Sequence, residues 1–469
     1  MEICFMAKTY DLTNGSPAKL ILKFFFPMFF TNMLQQLYTI ADTAIVGKGL
    51  GDNQLAAVGN MSSLTFLIIG FSMGLTNGFS VIIAKHFGAN DGEKLRRAIA
   101  TAVSLSFGIS ALLTAVSLIF LKPVLLLLQT SEIILADSLV YGYVIFGGLI
   151  TTIAYNLCAS ILRALGDSKT PFYAIIASTI INIVFNYVSV FILHMGVEGP
   201  ALVTILSQLI SASICFARLR KIELIRLSKE DFRHNGVMAS KLMKNGVPMA
   251  VMNSITAVGC MTVQYFVNGM GVVYTSAYSA CSKFINLFMQ PACTAGYTMS
   301  SFTSQNYGAK KYSRILSGLK VCLTIAAISY VLLGSVMVIF PRQLAAMMLN
   351  GSEQIALTEQ FLIRCGIMIF AVDLLFVFRS GCQGMGKPML PMISGILEMV
   401  LRVSVIAAFT SSLGFTATAY AEIAAWIGAL TINMLAFAYH LKKKLSAEKS
   451  EQPHISDHSA GNAEYCRTQ

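Results

Sequence analysis

Charge is scarce in this chain. Asp, Glu, Lys and Arg make up only 12% of its 469 residues, about half the roughly 25% of ordinary soluble domains. With 55% hydrophobic residues and a mean hydropathy of +0.68, too little polar surface remains to coat soluble cores, and a water-soluble globule is excluded. A bundle of helices in a bilayer needs no polar coat where it faces lipid. Cysteine pairing is missing too: the 10 Cys stand singly, mostly inside apolar runs and without a CxxC pair, which argues against a disulfide framework or a zinc site. Neither a Walker A sequence nor HExxH occurs, so ATP hydrolysis and zinc proteolysis have no support. Gly70-Phe71-Ser72-Met73-Gly74 has the GxSxG spacing of a nucleophile elbow, but that motif needs a strand-to-helix turn and this copy lies within an apolar run. The chain therefore reads as a non-enzyme with no cofactor and no assigned metal. Its first thirteen residues include Lys8 and Asp11 and lack a signal-peptide apolar core, so no cleaved signal is expected.

Long uncharged runs are what the chain has instead. Residues 24–41, 53–84, 98–121, 138–162 and 199–217 carry no charge, and most approach the ~20 residues that cross a bilayer. Runs 170–197 and 321–341 supply another helix each, and 245–282 is read as two helices joined at Gly269-Met270-Gly271. Segments 360–378, 388–413 and 414–441 carry sparse charge and complete twelve expected spans. Alternate loops hold the basic residues: Lys85, Lys94, Arg96 and Arg97, then Arg163 and Lys169, then eight from Arg218 to Lys244, then Lys310, Lys311, Arg314 and Lys320, then Arg379 and Lys387. The loops between them hold only Lys48, Lys122 and Arg342. By the positive-inside rule both termini lie in the cytoplasm of a multi-pass cell-membrane protein, and the formal charge of +12 belongs to loops rather than to nucleic-acid binding. Ser16-Pro17 has the form of a helix cap followed by Pro at the first helical position.

Sliding the chain on itself by about 220 residues aligns Phe87-Gly88-Ala89 with Tyr307-Gly308-Ala309, and Gly166 and Pro171 with Gly386 and Pro391. Pro27-Met28 likewise meets Pro248-Met249. An even number of helices per copy leaves both copies in one orientation, related by an axis along the membrane normal, as in transporters built from parallel repeats. The expected architecture is an all-α membrane protein with twelve transmembrane helices in two six-helix pseudo-symmetric lobes. Its expected parts are a cytoplasmic N-terminus (1–15), a first lobe with helices 1–6 (16–217), a cytoplasmic linker (218–240), a second lobe with helices 7–12 (241–441) and a disordered cytoplasmic tail (442–469).

Leu34-Gln35-Gln36-Leu37-Tyr38 leading to Ala41-Asp42-Thr43 and Val46-Gly47, with Gln305-Asn306-Tyr307-Gly308-Ala309-Lys310 in the second half, resembles the multidrug and toxic compound extrusion (MATE) family over about residues 16–441. Leu162-Arg163-Ala164-Leu165-Gly166-Asp167 with Pro171, and Asn182-Ile183-Val184, fit the same pattern. The resemblance implies a secondary antiporter that exports organic, often cationic, compounds in exchange for protons or sodium ions, with two lobes around a central cavity. It also implies that Asn182 and Thr204 join Asp42 in a first-lobe cation or proton network, together with a helix-4 tyrosine, Tyr141 or Tyr143. Asn186 stands where many members carry an acid, so this lobe has one carboxylate rather than two. Asp373 on helix 10 resembles the acid that some members use for sodium, while helix 7 has no acid; the incomplete sodium pattern tilts the expectation towards protons.

Ionisable residues at membrane depth are costly and are functional candidates by default. In the first half Asp42 is the one acid clearly within a span, with no base in those helices to partner it. A carboxyl withdrawn from water can take up a proton or, when ionised, hold a cation. It lies 19 residues after Lys23, roughly 28 Å along an ideal helix, which places it towards the outer leaflet or at the outer end of helix 1. The second half offers Lys283, Arg364 and Arg402 against Asp373, Glu398 and Glu422, with Glu398 and Arg402 on one helix face; they form a structural ion pair or take part in coupling. Lys283 would repel a cationic substrate unless paired. Pro27, Pro248 and Pro291, interior to helices 1, 7 and 8, are hinges or static kinks. A flippase of lipid-linked saccharides would want many cationic side chains lining the cavity to hold a pyrophosphate, and the first half has essentially none. An uncoupled channel is the third reading. Substrate identity and oligomeric state are not encoded in any feature of the sequence.

Overall fold

The computed structural model describes residues 11–128, 130–233 and 235–451. It is helical, with no strand among the described residues. The first half holds α1 (Pro17–Gly49), α2 (Asp52–Gly88), α3 (Gly92–Leu127), α4 (Glu132–Gly147 and Leu149–Ala164), α5 (Lys169–Ile192) and α6 (Glu198–Arg220). The second holds α7 (Gly236–Met270), α8 (Val272–Phe288 and Gln290–Gly308), α9 (Tyr312–Ile339), α10 (Ser352–Gly384), α11 (Met389–Leu413) and α12 (Thr416–Glu451). Nine of the helices pass as membrane spans by length and composition alone, and α4, bent by 44° at Gly148, makes a tenth. The twelve helices expected from the sequence are all present.

Local chemistry sets the ends. Pro17 is the first helical residue of α1, where its missing N–H costs nothing. Ser16 is the cap residue by position, although its side chain makes no capping bond. Asp91 caps α3 by accepting from the Lys94 backbone N–H. Pro27 and Pro248 lie inside unbroken helices. Pro291 does not: α8 breaks at Met289 and Pro291 opens its second segment, since Pro cannot donate into a preceding turn. The last helix runs ten residues past its expected end at 441, because the Lys-, Leu-, Ala- and Glu-rich stretch after it favours helix even where it is polar. Residues 1–10 of the expected N-terminus and 452–469 of the expected tail lie outside the described residues.

The duplication is written into the backbone. Helix starts recur 218–220 residues apart: Pro17 with Gly236, Asp52 with Val272, Gly92 with Tyr312, Glu132 with Ser352, Lys169 with Met389, Glu198 with Thr416. Four left-handed residues recur at the same offset, as Gly51 with Gly271, Asn90 with Lys310, Gly166 with Gly386 and His194 with Gly414.

Two lobes result, joined at one end. At the end where the basic loops lie, Gly88 of α2 and Gly308 of α8 cross. A Cβ on Gly88 would stand 2.0 Å from the Gln305 carbonyl oxygen, and one on Gly308 would stand 2.0 Å from that of Lys85. Deeper in, Gly78 and Gly74 of α2 pack on the backbone of Gly246 and Ala250 of α7. Position 85 and its repeat partner 305 each reach across the join. Lys85 Nζ donates to the Met385 carbonyl at 2.9 Å, and Gln305 Nε2 to the Ala164 carbonyl at 2.8 Å. The segment before α1 is fastened to the second lobe as well: Leu12 N donates to Gln305 Oε1 at 2.9 Å, and Arg314 Nη1 donates to the Gly15 carbonyl at 2.9 Å. Furthest from this end among the cross-lobe hydrogen bonds of the described residues are Asn32 to Thr294 and Asn253 to the Gly70 carbonyl.

Core composition changes at that level. Towards the basic end the apolar clusters mix lobes, with Leu75, Phe79 and Leu162 packed with Leu242 and Ala250, and Ile21 and Phe25 with Met299, Phe302 and Phe437. Towards the other end each lobe has its own cluster, Met61, Leu121 and Phe146 in one and Val267, Phe361 and Trp426 in the other. The lobes are thus joined at the basic end and independent beyond it.

The crossing yields a test. Gly88→Ala and Gly308→Ala should each destabilise the protein by about 1–3 kcal/mol, since backbone must move to admit a Cβ. Gly59→Ala, with nothing within 4 Å, should be neutral or stabilising by up to about 1 kcal/mol. Thermal unfolding in detergent micelles compares them, and equal midpoints for all three would contradict the crossing.

Candidate functional site

Asp42 lies inside α1, which continues to Gly49, so it is not a cap at the helix end. Val190 and Phe191 of α5 press on Gly49 and hold the two helices together there. One turn before Asp42 is Tyr38, and Asn182 and Asn186 are likewise one turn apart on α5, so each pair shares a face. Asn186 Nδ2 donates to Asp42 Oδ1 and, at 3.0 Å, to Asn182 Oδ1. Both asparagines are completely buried, and Asn182 Nδ2 and Asn186 Oδ1 have no partner. Tyr38 hydroxyl donates to Thr204 Oγ1 at 3.3 Å, and both Tyr38 and Tyr141 lie within electrostatic range of Asp42.

Five of the expected first-lobe residues thus converge: Asp42, Asn182, Asn186, Thr204 and Tyr141. Tyr143 does not join them. Two residues on from Tyr141 it points to the opposite side of α4, where it is 43% exposed. Tyr38 belongs to the cluster but was expected only as part of a motif; its spacing of four from Asp42 is the signal that could have found it. No ion pair to Asp42 exists among the described residues. The chemistry is that of a carboxylate with amide and hydroxyl oxygens beside it, which suits a proton or a hard cation. No group of three or more His, Cys, Asp or Glu gathers as a metal site among the described residues.

The second lobe is arranged differently. Glu398 lies between Arg379 at 2.5 Å and Arg402 at 3.2 Å, and Arg402 also reaches Glu422 at 2.9 Å. Arg379, expected in a cytoplasmic loop, is on α10, which runs to Gly384, and its side chain is buried in this network. Two acids and two bases balance within this network. Asp373 is also buried on α10, outside this network, with Oδ1 unpartnered. Lys283 is exposed and has no ion pair among the described residues, so it does not offset Asp373, Glu398 or Glu422. Arg364 spends a hydrogen bond on its own helix, to the Gln360 carbonyl.

Between the lobes, above the glycine crossing, is a small polar cavity of about 20 Å³, room for a water or two, lined by repeat partners: Met28 with Met249, Asn77 with Tyr297, Ser80 with Ser300, Arg163 with Gln383. Arg163 was expected in a cytoplasmic loop. Because α4 runs on to Ala164, its side chain instead faces the cavity, a single cation where the first half was expected to offer essentially none.

Breaking the second-lobe network should be costly. Glu398→Gln leaves Arg379 and Arg402 without their shared partner and should lower stability by about 3–5 kcal/mol. Lys283→Met should stay within about 0.5 kcal/mol of the parent. Thermal midpoints in detergent compare the two, and similar small effects would mean that the network is not a buried one.

The profile of the MatE family matches residues 27–188 and 248–408, one stretch in each repeat. A probable multidrug resistance protein of Bacillus subtilis, YoeA, is 27% identical over 349 residues, covering 72% of this chain and 75% of its own. A protein of Shewanella oneidensis named FAD transporter is 21% identical over 87% of this chain and 91% of its own. Among solved structures, the outward-facing conformation of a multidrug resistance MATE family transporter superposes with a TM-score of 0.84 at 20% identity, covering 94% of this chain and 99% of that one, which shows the shared fold. With two repeats, two lobes and a family match in each half, the chain belongs to the MatE family of multidrug and toxic compound extrusion transporters.

Proposed function

We propose that the protein is a secondary antiporter that exports small organic compounds, cationic or amphipathic, across the cell membrane in exchange for protons. The observation that carries this reading is Asp42: a carboxylate inside α1, held by Asn186, with no counter-charge among the described residues. By the positive-inside rule the basic end, where the lobes join, faces the cytoplasm. The lobes then part towards the outside, and Asp42 lies in the outer half, within reach of external protons.

Protonation supplies the switch. An ionised carboxylate only accepts hydrogen bonds, whereas a protonated one also donates. Asp42 would then need an acceptor, and Asn186 Oδ1, unpartnered in this arrangement, is one beside it. A proton thus favours a different pairing between α1 and α5, and an ion biases a two-state protein only through such differential contacts. Since α1 also packs against α8 of the other lobe through Asn32 and Thr294, 2.9 Å apart, a change in α1 reaches the lobe interface. Sodium is the second candidate ion: Asp42, Asn182 and Asn186 carry the oxygen ligands a hard cation takes. The FAD transporter among the relatives indicates that cargo in such a family member extends beyond cations.

Reconstituted into liposomes, the parent protein should export a cationic dye under an imposed proton gradient, and Asp42→Asn should abolish gradient-driven export while still binding the dye. A dye flux unaffected by either gradient and by Asp42→Asn would leave an uncoupled channel as the better reading. Export driven by sodium alone would replace the proton as the coupling ion.

A further inference from the structure

Arg163 is the one charged residue lining the central cavity among the described residues. Its nearest acid along the chain, Asp167, is taken: it accepts from Arg218 at 3.3 Å and from Thr170 Oγ1 at 2.6 Å. Arg163 Nη2 donates to Ser160 Oγ at 2.9 Å, and that hydroxyl passes its own proton on to Asn77 Oδ1 at 3.2 Å. One hydrogen bond uses little of a guanidinium, and no carboxylate pairs with it among the described residues. A structural arginine would be expected to pair with a carboxylate, as Arg379 does with Glu398, or to spend its fork on carbonyls, as Arg314 does on Gly15 and Leu12. The repeat sharpens the point. Its partner position in the second lobe is Gln383, whose amide turns to Met252 Sδ at 3.7 Å, so one side of the cavity presents a cation and the other a neutral amide.

Resting on the transporter reading above, we propose that Arg163 recognises the carboxylate of an amphipathic substrate that enters between the lobes as they part at the basic end and widen this water-sized cavity. The planar fork binds a carboxylate through two parallel hydrogen bonds. Ser80 and Ser300 on the facing helices supply further hydroxyls, and Met28 and Met249 supply soft apolar walls for the body of the ligand. The cavity lies behind the glycine crossing, so it becomes open to the cytoplasm once the lobes part at that end, which is where a substrate awaiting export is captured.

Rhodamine 19 and its ethyl ester, rhodamine 6G, differ in one free carboxylate and make a matched pair of probes. Fluorescence anisotropy with purified full-length protein in detergent should show that Arg163→Gln weakens rhodamine 19 by about tenfold or more, the loss of a charge-assisted bond, and leaves rhodamine 6G unchanged. Arg163→Lys, which keeps the charge without the fork, should fall between. Equal weakening of both dyes, no weakening of either, or a parent protein that binds the acid no better than its Arg163→Gln variant would each overturn the assignment. Size-exclusion profiles and melting midpoints identify a misfolded Gln variant, in which case the Lys variant decides: an unchanged ratio of the two dye affinities overturns the proposal. Selective binding without gradient-driven export in liposomes would sink the antiporter reading and leave this one standing.

Discussion

At Gly88 and Gly308 two helix ends from opposite lobes lie backbone to backbone, each closer to the other's carbonyl than any side chain would allow. Van der Waals attraction and hydrogen bonding, rather than a hydrophobic drive, hold helices together in a bilayer, and small residues let both act at short range. Around this crossing the cross-lobe bonds come in repeat-related form: residue 85 reaches the end of α10 and residue 305 reaches the end of α4. The join is therefore a pseudo-two-fold seal. Its bonds are to backbone carbonyls, so they specify how close the lobes come without depending on a particular partner side chain.

A seal at one end obliges each lobe to be self-sufficient at the other. That requirement explains the separate apolar clusters, and it constrains the buried charges. Beyond the level of Asn32 and Asn253 no charged group of the opposite lobe pairs with them among the described residues. In the second lobe the solution is internal balance, with Arg379, Glu398, Arg402 and Glu422 satisfying one another. In the first lobe the charge of Asp42 is met, among the described residues, by the Asn186 amide and by no opposite charge. A balanced network fixes its lobe, whereas a lone carboxylate can exist with or without its charge and so can report on the ions around it.

Much of this was legible in the sequence. Run lengths near a bilayer's thickness gave the span count, loop charge gave the common direction of the basic ends, and the offset of Phe87-Gly88-Ala89 to Tyr307-Gly308-Ala309 marked both the repeat and, as it turns out, the contact between its copies. Asp42 stood out because hydropathy leaves so few acids in the first half. What stayed hidden has a common cause: charge was read as the end of a helix. Arg163, Arg379 and the lysines after Leu441 all lie on helices that outrun their apolar stretch, since a helix ends where its backbone turns and not where its side chains become polar. The same habit placed Arg163 and Arg379 in loops, away from the cavity and the network they occupy. Tyr38 and Tyr143 exchanged places for a different reason, that composition within a motif does not say which face of the helix each residue is on.

Duplication also shows what has changed since the copies diverged. Asn182 and Arg402 are repeat partners, and so are Thr204 and Glu422, at the offsets of the helices that carry them. The first-lobe polar cluster and the second-lobe ion network thus occupy the same site in two copies of one bundle. In one copy α1 contributes Asp42 and the facing helices contribute neutral oxygens and amides. In the other, α7 contributes no acid and the facing helices contribute a closed set of charges. A network whose charges cancel internally gains little from an arriving ion, whereas a single carboxylate set among amides, as Asp42 is, gains a partner. In the second lobe only Asp373, on α10 outside the network, is likewise a buried carboxylate with no ion pair among the described residues. The cavity between them diverged in the same way, Arg163 on one side and Gln383 on the other. The backbone frame keeps the symmetry of the duplication, and the departures from it gather in the polar and charged side chains of the interior.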